Sequence, residues 1–320
     1  MRANYREGDS YTDRLFQWLK YDEKLPILLD HKIKPRVYKV NVDGMPKILK
    51  GYTRSQILLH QIEFFKSWEN AGTIAAQPVP FKENIYTKSK LGCEWGLFEW
   101  VDGRHGRFEN KNDRQSAIQV LKEFHDQTKG IDVLSVPKDP LYIKWEKRLE
   151  QFSATRDVFV DYGKYRLYKE LDTFMKKRLE SFSRHPWGEL EEKAWEQKEW
   201  LHGDVAHHNF LIDDSGRIKL IDFDLLHRGP HLYDDIQMGQ RFLPHVEHRP
   251  DDLFKGFKYV EERKIWLKGL LVPADILREW LYGYRRCLRG EGTFAYYLRR
   301  TEKSWAGRQK FVRFTENMLR

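Results

Sequence analysis

The stretch that decides the fold is LHGDVAHHNFLIDDSGRIKLIDFDL, residues 201–225. It places Asp204 in a His-Gly-Asp triplet, Asn209 five positions later and Asp222 thirteen positions after that. Between Asn209 and Asp222, two short apolar runs flank the turn sequence DDSG at 213–216, which predicts a tight β-hairpin. Because a hairpin brings its ends side by side, we expect Asn209 and Asp222 to face one another beside Asp204. Two oxygen ligands and one carboxylate in a single pocket suit magnesium and a phosphoryl group.

The composition indicates a globular protein with one large core or two lobes. The 320 residues are 40% hydrophobic and 14% aromatic, with 11 tryptophans. The net charge is +9, and ten Lys/Arg against three acids place +7 of it in residues 285–320. This basic end could bind an acidic substrate, nucleic acid or an anionic surface, or form a solvated helix face.

Cysteine use and hydropathy predict a cytoplasmic protein. Cys93 and Cys287 are the two cysteines, far apart in the sequence, which suits a reducing compartment and implies no disulfide framework. The start, MRANYREGDS, has no apolar core of a signal peptide. No apolar run approaches the roughly 18 to 20 residues of a membrane helix, so we expect no membrane association.

Periodicity predicts strands first and helices afterwards. Strands are predicted at 36–42, 45–50 and 95–101, and helices are predicted at 11–20, about 53–70, 114–128, 143–152, 165–182, 189–200, 233–242, 274–288 and 294–319. The stripe of Leu58, Ile62, Phe65 and Trp68 defines the inner face of the helix that follows Lys50. We therefore predict a β-rich lobe at 1–101, joined near Asp102 to an α-rich lobe at 102–320.

The motifs resemble those of aminoglycoside phosphotransferase and choline-kinase-like proteins. The similar segments are HGD-x4-N (202–209), IDFD (221–224), KILK ending at Lys50, LFEWVDGR (97–104) and LKEFHD (121–126). Together they cover most of residues 25–245. The resemblance implies an α+β, two-lobed protein-kinase-like fold with a small β-rich N-lobe and a larger, mainly α-helical C-lobe. The tryptophan-rich character and the WEKRL segment at Trp145 look like the spore-coat-associated kinase-like proteins of endospore-forming bacteria.

The resemblance also implies roles for individual residues, with ATP and Mg²⁺ as cofactors. Asp204 would be the catalytic base or the carboxylate that orients the attacking hydroxyl, and Asn209 and Asp222 would bind Mg²⁺. Lys50 would contact the α- and β-phosphates, and backbone groups from Glu99 to Val101 would hold adenine. Phosphoryl transfer needs mainly positioning and charge neutralisation, which these residue types supply.

Two departures from the family pattern concern the nucleotide side. The stretch expected to cover the phosphates, LDHKIKPR at 29–36, contains no glycine, so its backbone donors cannot approach phosphate as closely. The apolar stripe places Gln61 where the family has a glutamate that pairs with Lys50. Gln61 can hydrogen-bond Lys50 but cannot neutralise it. Glu63 points about 200° away from Gln61 around an ideal helix.

Other polar residues of the opening stretch have simpler interpretations. We interpret His202 as a buried histidine that braces the loop. His207 and His208 lack a third ligand at a spacing that suits a transition metal. Asp224 is either a second carboxylate on the metal side or a solvated turn residue, and both interpretations stay open.

Two functional hypotheses follow, and both share the fold. The first is an active ATP/Mg-dependent kinase that acts on a hydroxyl of a small-molecule acceptor. The basic balance favours an anionic acceptor. The second is a weak or inactive kinase-like structural protein that interacts with spore-coat proteins. A nucleic-acid partner is not expected, because the aromatics among the C-terminal arginines (Tyr296, Tyr297, Trp305 and Phe311) have the spacing of a helix core.

Overall fold

The computed structural model describes residues 7–134 and 136–316, with side chains from residue 11 onward. Residues 1–6 of the polar start and residues 317–320, which include the end of the last predicted helix, lie outside the described residues. The strands are β1 (Ile27–Lys34), β2 (Val37–Val42), β3 (Met45–Tyr52), β4 (Pro78–Val79), β5 (Thr87–Lys90), β6 (Cys93–Glu99), β7 (Arg104–His105), β8 (Trp200–Leu201), β9 (Phe210–Ile212), β10 (Ile218–Leu220) and β11 (His227–Arg228).

The α-helices are α1 (Glu7–Gln17), α2 (Ser55–Lys66), α3 (Ala71–Ile74), α4 (Lys111–Thr128), α5 (Leu141–Ser153), α6 (Arg156–Asp161), α7 (Tyr165–Ser183), α8 (Trp187–Glu196), α9 (Leu232–Phe242), α10 (Pro250–Gly256), α11 (Arg263–Leu271), α12 (Ala274–Leu288) and α13 (Phe294–Thr315). A π-helical turn (Trp18–Asp22) follows α1, and 3-10 turns lie at His207–Asn209 and Leu243–Val246. The predicted order, a strand-rich N-terminal region followed by a helical C-terminal part, is confirmed.

The chain forms two compact units. Unit 1 comprises the described residues up to His105 together with Ile131–Val136 and Phe210–Leu225. Unit 2 comprises Gly106–Gly130, Pro137–Asn209 and the described residues from Leu226 onward. The hairpin of the opening stretch is therefore part of the strand-rich unit 1, whereas Asp204 and Asn209 belong to unit 2. The lobe ranges expected from the sequence, 1–101 and 102–320, stay a prediction.

Unit 1 is organised around an antiparallel sheet with the strand order β1-β2-β3-β6-β4, and β5 pairs with β6. The predicted turn between β2 and β3 is confirmed, with Asp43 at φ 50° and Gly44 at φ 82°. Two consecutive positive φ angles are what a two-residue hairpin turn of this twist requires. The β3–β6 register sets Lys50 opposite Gly96, on a central strand of the sheet.

The expected phosphate-covering loop at 29–36 is a strand for most of its length, so that prediction of a loop is wrong. β1 continues to Lys34, and only Pro35 and Arg36 separate it from β2. Arg36 takes φ 61°, a left-handed conformation that non-glycine residues adopt uncommonly. β1 lies at the sheet edge with only Ile27 buried, so it carries no alternating apolar pattern from which a strand could be predicted.

The helix after β3 has the predicted inner face. Its four stripe residues, Leu58, Ile62, Phe65 and Trp68, are all buried. The helix begins at Ser55, and its N-cap residue Arg54 makes no side-chain capping bond.

The β9–β10 hairpin is confirmed and is anchored within unit 1. Ile212 pairs with Ile218 across its turn, where Gly216 takes φ 83°. The Ala76 backbone N–H donates to the Leu220 carbonyl at 2.9 Å, and Phe223 packs edge-on against Phe65 with ring centroids 5.1 Å apart. These contacts fix the strand end that carries Asp222.

Unit 2 is helical with an aromatic core. Trp145, Trp266 and Trp280 are each 1% exposed. α12 packs against α5, α9 and α13. Arg308 of α13 is 1% exposed and is held by both carboxylate oxygens of Asp275 at 2.7 and 2.8 Å. Helices α6, α10 and α11 were not anticipated from the sequence.

The aromatics that interleave with arginines on α13 lie mainly in the core. Tyr297, Trp305 and Phe311 are buried, while Tyr296 is 49% exposed. These four residues therefore do not present a row of aromatic rings on which nucleic-acid bases could stack. Across the described ranges, no helix combines the length and the apolar character needed to cross a membrane.

Candidate active site

In unit 1, Lys50 joins the two aspartates of the IDFD motif. Its ammonium donates to Asp222 Oδ1 at 2.5 Å and to Asp224 Oδ1 at 2.7 Å. The Lys50 side chain is 13% exposed, and those of Asp222 and Asp224 are 28% and 34% exposed. The structure thus brings the predicted phosphate-binding lysine and the predicted magnesium ligand Asp222 into direct contact. We call Lys50, Asp222 and Asp224 the ionic cluster.

Gln61 contacts Asp224 rather than Lys50. Its side-chain amide lies 3.3 Å from Asp224 Oδ1 and 3.2 Å from the Ile57 carbonyl. The predicted hydrogen bond to Lys50 is therefore wrong, although Gln61 does lie on the inner face at 2% exposure while Glu63 is exposed. Asp224 supplies the negative charge next to Lys50 that Gln61 lacks.

Asp224 also accepts a hydrogen bond from the Tyr52 hydroxyl at 3.0 Å. Burial raises the pKa of Tyr52 well above its ordinary value, and the nearby Asp224 charge raises it further. Tyr52 is therefore a neutral donor at physiological pH. With contacts to Lys50, Tyr52 and Gln61, Asp224 is not a solvated turn residue, which rules out one of its two interpretations.

The backbone at Asp222 is in the left-handed region, with φ 65°. Such conformations cost energy outside glycine and occur often at functional sites, although aspartate tolerates them better than most residues. Lys34, at the end of β1, places its ammonium 3.7 Å from Asp222 Oδ2. Asp222 is consequently approached by two lysines, one from each side of its carboxylate.

The residues predicted to hold adenine lie farther along β6. Glu99 is three residues from Gly96, the partner of Lys50, which corresponds to a rise of about 10 Å. The Glu99 N–H donates to the Gln77 carbonyl at 3.0 Å, and Gln77 returns a side-chain bond to Glu99 Oε1 at 3.4 Å. Val101 follows β6 and is partly buried. Glu99 and Val101 thus sit on an ordered strand end, separate from the ionic cluster.

In unit 2, Asp204 forms an ion pair that the sequence did not predict. Arg241 of α9 donates to Asp204 Oδ1 at 2.5 Å, with the Arg241 side chain 14% exposed. Asn209 donates from its side-chain amide to the Asp204 carbonyl at 2.8 Å. The loop is therefore closed on itself by Asn209, and the Asp204 carboxylate, 33% exposed, projects toward Arg241.

The buried carboxylate of Asp234 holds the backbone of this loop in place through hydrogen bonds. It is fully buried and accepts the N–H groups of His202 at 2.8 Å and Gly203 at 3.1 Å. His125 lies 3.2 Å from the same carboxylate. Burial alone would raise the pKa of Asp234, but its bonds to His125 and His202 bring that pKa below the ordinary value. His202 itself is 0% exposed, which confirms that it is a buried histidine of the loop.

Arg241 and Lys34 are the two site residues that sequence reasoning missed. Arg241 lies seven positions after Asp234, two turns along the same helix face, so a helix that carries a loop-bracing aspartate could have pointed to it. Lys34 is one of two lysines in the stretch 29–36. No local pattern distinguishes it from Lys32.

The residues present fit magnesium and phosphate. Mg²⁺ is usually held by one or two carboxylates together with waters and substrate phosphates rather than by a closed protein cage. Asp222 and Asp224 provide partly exposed carboxylates, and Lys34 and Lys50 provide positive charge for phosphate. In the parts of the chain that the structure describes, no group of three or more His, Cys, Asp or Glu could hold a metal, and this includes the region of His207 and His208.

Comparisons with known proteins concern the family and the fold of the chain. A family model of APH, the phosphotransferase enzyme family, matches residues 28–245, about two thirds of the chain. No curated protein sequence matches the chain significantly. An aminoglycoside phosphotransferase from Alicyclobacillus acidocaldarius is similar in structure, with a TM-score of 0.68 and 16% identity over 100% of this chain and 98% of that one.

Two further solved structures are similar along nearly their whole length. Choline kinase LicA from Streptococcus pneumoniae has a TM-score of 0.56 and 12% identity, covering 94% of this chain and 99% of that one. Spectinomycin phosphotransferase APH(9)-Ia, solved with ADP and spectinomycin, has a TM-score of 0.56 and 14% identity, covering 93% of both chains. At these identities the likeness shows the fold, while the family match over residues 28–245 shows the relationship. The chain belongs to the APH phosphotransferase enzyme family.

Proposed function

We propose that the protein is an ATP- and Mg²⁺-dependent phosphotransferase that acts on a hydroxyl of a small molecule. The observation that carries this proposal is the ionic cluster, in which Lys50 lies within 2.7 Å of both Asp222 and Asp224. A lysine beside a pair of partly exposed carboxylates is suited to a phosphate chain and its metal ion. The ADP and spectinomycin complex of a similar structure supports a nucleotide substrate.

On the nucleotide side, the proposed roles are divided among unit 1 residues. Lys50 would neutralise the α- and β-phosphates, and Lys34 would add a second positive charge where the family has a glycine loop. Backbone groups from Glu99 to Val101 would bind adenine. Asp222 would hold Mg²⁺, which when bound would neutralise charge on the phosphates.

On the acceptor side, Asp204 would receive the proton of the attacking hydroxyl. The hydroxyl oxygen forms a bond to the γ-phosphorus of ATP, the bond from that phosphorus to the bridging oxygen breaks, and ADP leaves. Arg241 contacts the Asp204 carboxylate at 2.5 Å and so holds it in a fixed position. Asp234 fixes the loop backbone that aims Asp204.

The alternative is a catalytically inactive kinase-like component of the spore coat. The tryptophan-rich character and the segment around Trp145 support it. Trp145, however, is 1% exposed and packs against Phe182 at 5.0 Å, so core packing already accounts for that tryptophan. The ionic cluster therefore favours the phosphotransferase over this alternative.

Turnover can be tested with ATP, MgCl₂ and a panel of hydroxyl compounds, following ADP release. We expect stimulated ADP release with at least one acceptor class, and a loss of at least about 100-fold in Asp204→Asn, since general-base contributions lie in this range. If no acceptor stimulates ADP release, or if Asp204→Asn retains full activity, the proposed function is wrong.

A further inference from the structure

Five basic side chains of unit 2 lie on helices α5, α9 and α12, and one of them, Arg241, contacts Asp204. Lys144 and Arg148 lie one turn apart on α5, Arg241 lies near the end of α9, and Arg278 and Arg285 lie two turns apart on α12. α12 packs against both α5 and α9. The spacing puts the members of each pair on one face of their helix. We call these five residues the basic cluster.

Nearby carboxylates neutralise only part of this charge. Asp204 pairs with Arg241 at 2.5 Å, Asp139 with Lys144 at 3.6 Å and Glu279 with Arg278 at 2.8 Å. Asp275, also close, has both oxygens taken by Arg308.

Two arginines of the basic cluster are left over. Arg148, which is partly buried, donates to the Ala274 carbonyl at 3.0 Å, and in the described ranges no carboxylate lies within ion-pairing distance of Arg148 or of the exposed Arg285. The region therefore carries excess positive charge that the protein itself does not offset.

This arrangement is energetically unfavourable without an anion. Burial, together with the charge of Arg278, lowers the pKa of Arg241 to about 9 and that of Arg148 to about 10. Burial likewise lowers the pKa of Lys144, although Asp139 partly offsets this effect. Cations that are desolvated and repel one another destabilise the fold, and a bound anion would relieve the repulsion.

The remaining donors suit a phosphate or carboxylate. A guanidinium has five N–H donors in a planar fork that matches the oxygens of both groups. Among the described residues, Asp204 is the side-chain partner of Arg241, and it uses one donor nitrogen of that guanidinium. The Arg278 side chain is 33% exposed, and in the described residues its ion-pair partner is its neighbour Glu279. Arg148, Arg241 and Arg278 thus retain unused donors, and those of Arg241 lie beside the carboxylate to which we assign the acceptor hydroxyl.

We propose that the basic cluster binds an anionic group of the acceptor, so that the substrate is a hydroxyl compound that also carries a phosphate or a carboxylate. This inference rests on the proposed function, because it places the acceptor at Asp204. It distinguishes the protein from enzymes that act on polycationic aminoglycosides, since the excess positive charge of the cluster repels such substrates. Arg148 and Arg278 supply the main anion contacts.

The test is a binding titration of the full-length protein at constant ionic strength and without nucleotide. The probes are glycerol 3-phosphate, glycerate and glycerol, three small polyols that differ in their anionic group. We expect one or both anions to bind at least about tenfold more tightly than glycerol, given the strength of charge-assisted hydrogen bonds. The phosphate and carboxylate probes show which anion the cluster prefers.

Substitutions locate the binding. We expect Arg148→Gln and Arg278→Gln each to weaken anion binding by about tenfold. The matched control is Arg184→Gln on an exposed helix end, where Arg184 is 76% exposed and pairs within its own helix. Arg278→Gln keeps the test valid if Arg148→Gln fails to fold. Arg278 makes only a local ion pair, so we expect its replacement to leave the fold intact. Equal binding of glycerol and the anions, or unchanged anion affinity in both variants, overturns the inference.

Separate titrations with ATP and MgCl₂ keep the two proposals distinguishable. If the anions bind at Arg148 and Arg278 but the wild type does not bind ATP, the proposed function fails while the anion site stands. If ATP binds normally and the anions do not, the anion site is wrong and the nucleotide side of the proposed function is unaffected.

Discussion

Gln61 Nε2 lies 3.3 Å from Asp224 Oδ1, the same oxygen that accepts from the Lys50 ammonium at 2.7 Å. The negative charge that a kinase-like protein is expected to place on its helix α2 is thus carried by the second aspartate of the IDFD motif. A neutral amide at position 61 is then the compatible residue, because a carboxylate there would face Asp224. The absence of the expected glutamate is no longer an argument against a working nucleotide site.

Replacing Gln61 with glutamate should destabilise the protein. The new carboxylate would lie buried about 3 Å from Asp224, and we expect a loss of at least about 2 kcal/mol in the free energy of unfolding at pH 7. Urea denaturation followed by tryptophan fluorescence measures this loss.

The double variant Gln61→Glu/Asp224→Asn gives the matched control, because it moves the carboxylate without adding one. We expect it to regain at least half of the lost stability, a coupling that a double-mutant cycle isolates. If Gln61→Glu is as stable as the wild type, Gln61 does not face Asp224 as described.

Removing the Lys50 ammonium should cost both stability and nucleotide binding. Lys50→Ala leaves Asp222 and Asp224 close together without their shared cation, and we expect about 1–3 kcal/mol of destabilisation since both carboxylates are partly exposed. The control is Lys47→Ala on the same strand, which should change stability by less than about 0.5 kcal/mol. Equal losses in the two variants would show that the ionic cluster contributes nothing specific.

His231 should make stability depend on pH below about 6.5. The ring stacks on His125 at a centroid distance of 4.0 Å, and its Nε2 is buried without a hydrogen-bond partner. Burial, reinforced by the nearby His125, lowers the pKa of His231 far below its ordinary value of 6.5. As the pH falls below 6.5, the unfolded chain binds a proton that folded His231 does not, so stability decreases by up to about 1.4 kcal/mol per pH unit.

The variant His231→Phe should lose this pH dependence while keeping the stacking surface. We expect its stability relative to the wild type to rise by up to about 2 kcal/mol between pH 7 and pH 5, measured by urea denaturation at both values. His105→Phe, a substitution at an exposed histidine, should leave the pH slope unchanged. Parallel slopes for His231→Phe and the wild type would contradict a neutral buried His231.

Much of the fold could be predicted from local patterns. The Asp43-Gly44 turn, the stripe from Leu58 to Trp68 and the DDSG turn each encode a conformation through residues that are close in sequence. β1 could not be predicted in this way, because an edge strand with one buried residue carries no alternation. The resemblance predicts a loop at 29–36, whereas this stretch is mainly strand.

Of the candidate site, only the motif residues themselves could be predicted from the sequence. Asp204, Asn209 and Asp222 could be singled out by spacing, but the partners of their charges could not. Arg241 reaches Asp204 from 37 positions away, and Asp224 reaches Lys50 from 174 positions away. Such pairings depend on how helices and strands pack, which the spacing of residues along the sequence does not by itself determine.

The central claim is that the ionic cluster is a site for a nucleotide and its metal ion, and one binding measurement tests it most directly. The thermal unfolding midpoint is measured with and without millimolar ATP and MgCl₂, for the wild type and for Asp222→Asn. We predict a clear upward shift of the midpoint in the wild type and a loss of most of that shift in Asp222→Asn, because stabilisation scales with ligand affinity. No shift in the wild type, or the same shift in Asp222→Asn, would contradict the account.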